Sequence, residues 1–358
     1  MTSHLFDPLT IRGTTFKNRA WVSPMCMYSA TNGKIGEFHH AHLGALVTGG
    51  SGLVIVEASG VVPEGRISIG CPGLWNDEVA GAFTPIIELA HTFGAKVGIQ
   101  LAHAGRKGGT HLPSEKYRQA TPEEGGWQSV APSAIAFEGY PVPRELTVAE
   151  IKELVTAFAD AAKRAITAGF DVLEIHAAHG YLLHEFYSPL SNTRTDEYGG
   201  SFENRTRFLR EVTAAVRAVM PESMPLFVRI SASDWSEGGW TLEESVELSP
   251  ILRDLGADLI DASSGGNVHN AKITVGPSYQ AHFAEAIKKA GVMTSTVGGI
   301  TDAIQADDLL VEGKADAIMM AREYLRNPRW PLQAADELAA AGRGPHVAWP
   351  TPFARGKK

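Results

Sequence analysis

Cysteine is nearly missing from this 358-residue chain: only Cys26 and Cys71 occur. Two sulfurs cannot build a disulfide framework or hold an iron–sulfur cluster. No apolar run reaches the roughly 20 residues of a membrane span. No dense basic stripe appears, and the net charge is −8, which argues against a nucleic-acid footprint. The segment Met1 to Asp7 lacks the charged and apolar regions of a signal peptide. No G-x-G-x-x-G follows the first strand candidate, which disfavours an open dinucleotide-binding sheet. A soluble, cytoplasmic protein without nucleic-acid or membrane partners is expected.

What is present is a repeating grammar. Hydrophobic residues make up 44% of the chain, enough for a large core. Four times a helix-like segment ends at a Gly, two or three residues intervene, and an apolar run begins: at Gly94, Gly169, Gly256 and Gly313. Glycine supplies the left-handed helix cap that other residues resist. Thr147-Val148-Ala149-Glu150 and Thr241-Leu242-Glu243-Glu244 fit the capping box that opens a helix. Eight strands are predicted: 20–25, 53–58, 97–103, 172–176, 226–231, 259–263, 294–297 and 317–321. Near-continuous apolar strands alternating with helices imply a parallel sheet covered on both faces, and eight units imply an α/β (βα)8 TIM barrel. We expect one barrel domain over 1–340, with a Gly- and Pro-rich loop from Ala104 to Glu145 covering the active face. The tail, 341–358, carries Pro345, Pro350 and Pro352 and is expected to be disordered or docked on a neighbour.

Barrel chemistry sits at the C-terminal strand ends. There the chain places Ser23-Pro24-Met25-Cys26-Met27-Tyr28, Gln100, and His176-Ala177-Ala178-His179-Gly180-Tyr181, followed by Arg229, Gly298-Gly299 and Ala321-Arg322. Two imidazoles can donate hydrogen bonds to a substrate oxygen, and a phenol of pKa roughly 10 keeps a proton to give. A Gly pair after strand seven and an Arg after strand eight match the usual phosphate site of the fold. Arg229 lies inside an apolar strand, where a charge needs a partner; Gln100 follows the same logic.

With these motifs, together with Gln100 to Lys107, Ala131 to Ala134 and Arg194 to Ser201, the chain resembles the old yellow enzyme family of FMN-dependent ene-reductases, in its thermophilic-like, xenobiotic reductase-like bacterial branch. The likeness runs from Leu5 to about Trp330. It implies an NADPH dehydrogenase type of enzyme with tightly bound, non-covalent FMN, reduced by NADPH or NADH, that reduces alkenes activated by carbonyl or nitro groups. Hydride would pass from flavin N5 to the β carbon, and Tyr181 would protonate the α carbon. His176 and His179 would hold the substrate oxygen, and Tyr28 would line the pocket. Ser23, Pro24, Met25 and Cys26 would pack along the flavin edge, with Cys26 tuning its potential. Ala58 would approach by its backbone, Gln100 would bond the pyrimidine ring, and Arg229 would face N1/O2. Gly298, Gly299, Ala321 and Arg322 would hold the phosphate. A homodimer or homotetramer is implied, with Arg355 entering a neighbouring site, although the aromatic residue that commonly follows the Arg-Gly pair is absent here.

Two readings compete with this one. His176 and His179 could be metal ligands in a barrel hydrolase, although i, i+3 spacing at a strand end suits that poorly. The protein could also bind flavin without turning over. His103 and Lys107 are expected to border the pocket without a chemical role, and His39, His40 and His42 to have packing or solvated roles.

Overall fold

The computed structural model describes residues 4–112 and 118–357; Met1 to Ser3, residues 113–117 of the expected loop, and Lys358 lie outside the described residues. Eight parallel strands close into a barrel in chain order. They are β1 (Ala20–Val22), β2 (Leu53–Gly60), β3 (Lys96–Ala102), β4 (Val172–Ala177), β5 (Leu226–Ser231), β6 (Leu259–Ser263), β7 (Thr294–Thr296) and β8 (Ala317–Met320). Eight helices follow them: α1 (Glu37–Thr48), α2 (Thr84–Thr92), α3 (Val148–Ala168), α4 (Phe202–Val219), α5 (Leu242–Asp254), α6 (Ala281–Lys289), α7 (Ala303–Val311) and α8 (Trp330–Ala340). The expected (βα)8 barrel is therefore observed.

The helix punctuation works as chemistry requires. Thr147 accepts from the Glu150 N–H to start α3, and Thr241 accepts from the Glu244 N–H to start α5. Gly169 ends α3 at φ +103°, a conformation that a Cβ would strain. Four strand ends fall short of prediction. Strand β1 stops at Val22 because Pro24 has no N–H for the ladder. Strand β7 stops at Thr296, before Gly298 and Gly299 turn away with positive φ. Strand β3 stops at Ala102 and β8 at Met320. Conversely, β2 runs to Gly60 and contains a bulge between Val56 and Ala58.

Inward side chains step by two along each strand, and the steps change character halfway up. The lower layer is apolar: Trp21, Ile55, Val172, Phe227 and Leu259 pack with Phe16 of an N-terminal hairpin (Leu9–Ile11 with Thr14–Phe16). Trp21 stacks on Phe227 at 5.7 Å and Phe16 sits 4.8 Å from Trp21, so aromatic rings stopper the lower end. Two residues further along the same strands come Ser23, Glu174, Arg229 and Asp261, all buried. Two further still come His176, Ser231 and Ser263.

The long loop after β3 carries the short 3-10 turns Gly105–Lys107 and Pro122–Glu124 and the two-residue strands Val130–Ala131 and Arg144–Glu145. The tail is ordered against its own chain. The Trp349 indole N–H donates to Asp336 of α8 at 2.9 Å, Lys357 pairs with Asp336 at 3.0 Å, and Arg329 lies 4.1 Å over the Phe353 ring. The expectation of a disordered tail gives way to these contacts. Thr147→Ala removes the α3 cap and should cost about 1 kcal/mol. Urea unfolding should show a lower midpoint with an unchanged slope.

Candidate active site

The mouth of the barrel is assembled around β4 and the turn after it. His176 is the inward residue near the end of β4, in register with Arg229 of β5. The chain then reverses through His179 (φ +59°) and Gly180 (φ +70°). A Cβ at Gly180 would stand 2.2 Å from the Gly266 carbonyl, so only glycine fits that crossing. His184 Nδ1 accepts from the Gly180 N–H at 2.8 Å, and the other ring nitrogen of His184 lies 2.9 Å from Asp234. The Ser231 hydroxyl accepts from the His179 N–H at 2.8 Å. The turn places the His176 ring 5.3 Å from that of His179 and 5.1 Å from that of Tyr181. Left-handed backbone at a non-glycine such as His179 is strain of the kind found at working sites.

The charge states follow from burial. Desolvation, with the Arg229 cation next in size, holds His176 and His179 well below the usual imidazole range. Both are therefore neutral at pH 7, and each has one N–H to donate. His179 Nε2 is 2.7 Å from the Ser263 hydroxyl, while His176 Nδ1 has no hydrogen-bond partner. Burial pushes the Tyr181 phenol well above its ordinary value, aided by Cys26 and Tyr28, so it retains its proton. The Lys107 ammonium lies 4.6 Å over the Tyr181 ring and is anchored to the carbonyls of His179 and Gly266 at 2.5 and 2.8 Å. Burial lowers Lys107 to about 8.

Beneath the histidines lies a buried polar floor. Arg229 donates to the Ser23 hydroxyl at 2.7 Å, and its Nε stands 3.3 Å from Asp261, which accepts from Ser295 at 2.9 Å. Gln100 gives its amide N–H to Glu174 at 2.7 Å, and the second Glu174 oxygen has no hydrogen-bond partner. Burial first, then Asp261, raises Glu174 to about 8. Glu57, pushed out by the β2 bulge, accepts from the Met27 N–H at 2.9 Å and lies 3.1 Å from His39 Nε2. The segment from Cys26 to Tyr28 is thereby tethered, and Cys26, Tyr28 and Tyr181 pack together against Ala58, Ile67, Cys71, Ala102 and Ala104.

Two cavities open on this face. One of about 460 Å³ is lined by Tyr28, Ile67, Lys107, Phe137, Tyr140 and Tyr181 among others. Residues of the β3 loop thus border it as expected. A second, of about 250 Å³, brings together Gly298, Gly299, Ala321 and Arg322. A Cβ on Gly298 would come within 2.7 Å of the Gln280 and Tyr279 side chains, and one on Gly299 within 2.1 Å of the Gly276 carbonyl. Arg355 stands exposed on the 3-10 turn Thr351–Gly356 and does not line either cavity.

Sequence reading passed over Glu174, Asp261, Phe137 and Tyr140. Glu174 and Asp261 carried the same signal as Arg229, a charge inside an apolar strand. The aromatic pair sits in a loop, where no periodicity marks it. Among the described residues, the one group of three potential metal-ligating side chains is Cys26, Glu57 and Cys71, so no third ligand joins His176 and His179, and the hydrolase reading loses its metal centre on donor geometry.

A profile of the "NADH:flavin oxidoreductase / NADH oxidase family" matches residues 4–341, and the chain belongs to that family. It is 48% identical over 360 residues to an NADPH dehydrogenase of Geobacillus thermodenitrificans, covering 99% of each chain. It is 48% identical to an NADPH dehydrogenase of Bacillus subtilis, covering 94% of this chain and 96% of that one. The fold is similar to morphinone reductase (TM-score 0.79, 27% identity, 99% of this chain and 93% of that one). It is also similar to the old yellow enzyme homologue of Zymomonas mobilis (TM-score 0.78, 31% identity, 94% and 93%). The chain is thus a flavin-dependent oxidoreductase of the old yellow enzyme type.

The pKa of Glu174 sets a stability slope. The folded carboxyl keeps its proton up to about 8, whereas an unfolded one loses it near its ordinary value of 4.5. The fold therefore binds the extra proton between those limits, and stability falls as pH rises through them, by ~1 kcal/mol per unit. Glu174→Gln should flatten that fall in urea titrations between pH 5 and 8.

Proposed function

We propose that this protein passes hydride from NADPH or NADH, through FMN, to alkenes activated by a carbonyl or nitro group. The observation that supports this best is the neutral imidazole pair with Tyr181 beside it, directly above the buried Arg229. The residues present fit FMN. The glycine cradle and Arg322 suit a phosphate dianion, since backbone left bare of Cβ atoms admits one closely. Gln100, its amide nitrogen engaged by Glu174, offers its carbonyl oxygen to the imide N–H of a pyrimidine ring. Arg229 supplies a cation for the anionic reduced ring. Ser23, Pro24, Met25, Cys26 and Ala58 would line the ring's edge. Bound flavin supplies the two-electron hydride chemistry, and this chain's residues do the rest.

His176 and His179 donate N–H groups to the substrate oxygen. Being uncharged, they hold the oxygen as it gains negative charge without first having to lose a proton. Tyr181 holds a proton on its phenolic oxygen and gives it to the carbon next to the activating group. Lys107, fixed over the phenol ring, stabilises the tyrosinate left behind. Tyr28, Phe137 and Tyr140 give the cavity apolar walls that keep water from competing for that proton. Among the described residues no helix is long and apolar enough to cross a membrane; we place the enzyme in the cytoplasm, as a barrel over 1–340 with a C-terminal tail.

Tyr181→Phe should leave flavin reduction by NADPH intact and slow reoxidation by cyclohexenone about 10²-fold or more. Stopped-flow absorbance resolves the two half-reactions, and equal slowing of both would refute the proton-donor role. A colourless purified protein that fails to take up FMN would refute the whole assignment. The exposed position of Arg355 suits the assembly reading, in which a homodimer or homotetramer sends each tail toward a neighbouring mouth. Arg355→Ala should then raise KM for the alkene severalfold with little change in kcat, and sedimentation should report the oligomer; an unchanged KM removes Arg355 from the site.

A further inference from the structure

We propose that Cys26 and Cys71 form a paired modification site, which a peroxide-class oxidant closes into a disulfide that draws the Cys26 sulfur off the flavin edge. Their sulfurs, with a Glu57 oxygen, lie within 4.8 Å of one another, though the residues come from different segments, one after β1 and one after β2. A disulfide requires that separation to shrink to about 2.05 Å, and sulfurs already this close are candidates for one.

The same three donors do not make a metal site, because Glu57 is committed elsewhere. One of its oxygens accepts from Met27 and the other lies beside His39, at 2.9 and 3.1 Å. Two sulfurs without a free third ligand make a poor metal site and a good covalent pair. The two thiols interact directly. The hydrogen bond to Cys71 pushes the Cys26 thiol up, and burial adds to this; the same contact pulls Cys71 down, with the Ser68 hydroxyl 3.4 Å away also favouring its thiolate. A shared proton of this kind leaves one nucleophilic sulfur in the pair. The site is also within reach of a small oxidant. Tyr28, Ile67 and Tyr181 pack on the sulfur pair and also line the 460 Å³ cavity.

The chemistry balances. One thiolate attacks a peroxide oxygen, the O–O bond breaks, and water leaves with the thiol's proton, giving a sulfenic acid. The second sulfur attacks that sulfur, an S–S bond forms, and a second water departs. Two thiols lose two electrons and two protons; hydrogen peroxide gains both and becomes two waters. The cross-link itself requires no cofactor. Its effect on the flavin rests on the placement of Cys26 proposed above.

The test exposes the holoenzyme to hydrogen peroxide, blocks residual thiols with N-ethylmaleimide, and maps tryptic peptides without reductant. The expected product is the peptide containing Cys26 joined to that containing Cys71, lighter by two hydrogens and separated again by dithiothreitol. Cys71→Ser and Cys26→Ser should each yield no joined peptide. Wild-type protein in which either sulfur is oxidised alone, or both stay free for N-ethylmaleimide, with no joined peptide, overturns the proposal. Spectroelectrochemistry of the cross-linked and reduced holoenzymes should show two different flavin midpoint potentials. A cross-link that leaves the potential unmoved overturns the withdrawal from the flavin and the placement of Cys26, while Tyr181→Phe kinetics test the enzymatic reading separately.

Discussion

The architecture of the mouth depends on keeping one guanidinium buried. Arg229 projects into the barrel interior from a strand whose neighbouring positions are apolar, and a cation there is tolerable only if it is paired. Asp261 on the next strand and the Ser23 hydroxyl meet it. Supplying those partners commits the whole middle layer to polarity: Ser295 must satisfy Asp261, and Glu174, facing a second carboxylate, keeps its proton. The same cation then helps hold His176 and His179 uncharged above it. One charge thus organises the floor and adds to the burial that keeps the two imidazoles uncharged.

The lower half of the barrel makes that floor affordable. Below it, Trp21, Phe227 and Phe16 pack ring against ring and exclude water from beneath the ion pair. The apolar-to-polar change therefore follows the period-two alternation of each strand, with stability carried in the lower rows and chemistry in the upper ones.

Much of this was legible in the chain. Buried parallel strands are nearly continuous apolar runs, so β5 and β6 were delimited to the residue, and Gly169 and the Thr147 cap marked the limits of α3. The histidine, tyrosine, arginine and glycine-pair positions could be named because strand ends in a barrel converge. Other features were hidden for physical reasons. The β2 bulge that aims Glu57 at Met27 leaves no compositional trace. The tail's attachment to Asp336 depends on Trp349 and Lys357, which in one dimension look like part of an unstructured end. The approach of Cys71 to Cys26 is a product of folding between two turns, and no spacing rule foretells it. Glu174 could have been found, because an acid within Val172-Leu173-Glu174-Ile175 raises the same question as Arg229.

The aromatic stopper also governs traffic. Among the described residues, Phe16, Trp21 and Phe227 plug the lower end, and the loop bearing Phe137 and Tyr140 borders the upper mouth by which visitors enter. On the proposed reaction, electron giver and electron taker queue for the same berth, each departing before the other docks. Under that reaction a surplus of either guest would stall the other, a consequence of a cylinder with one closed end.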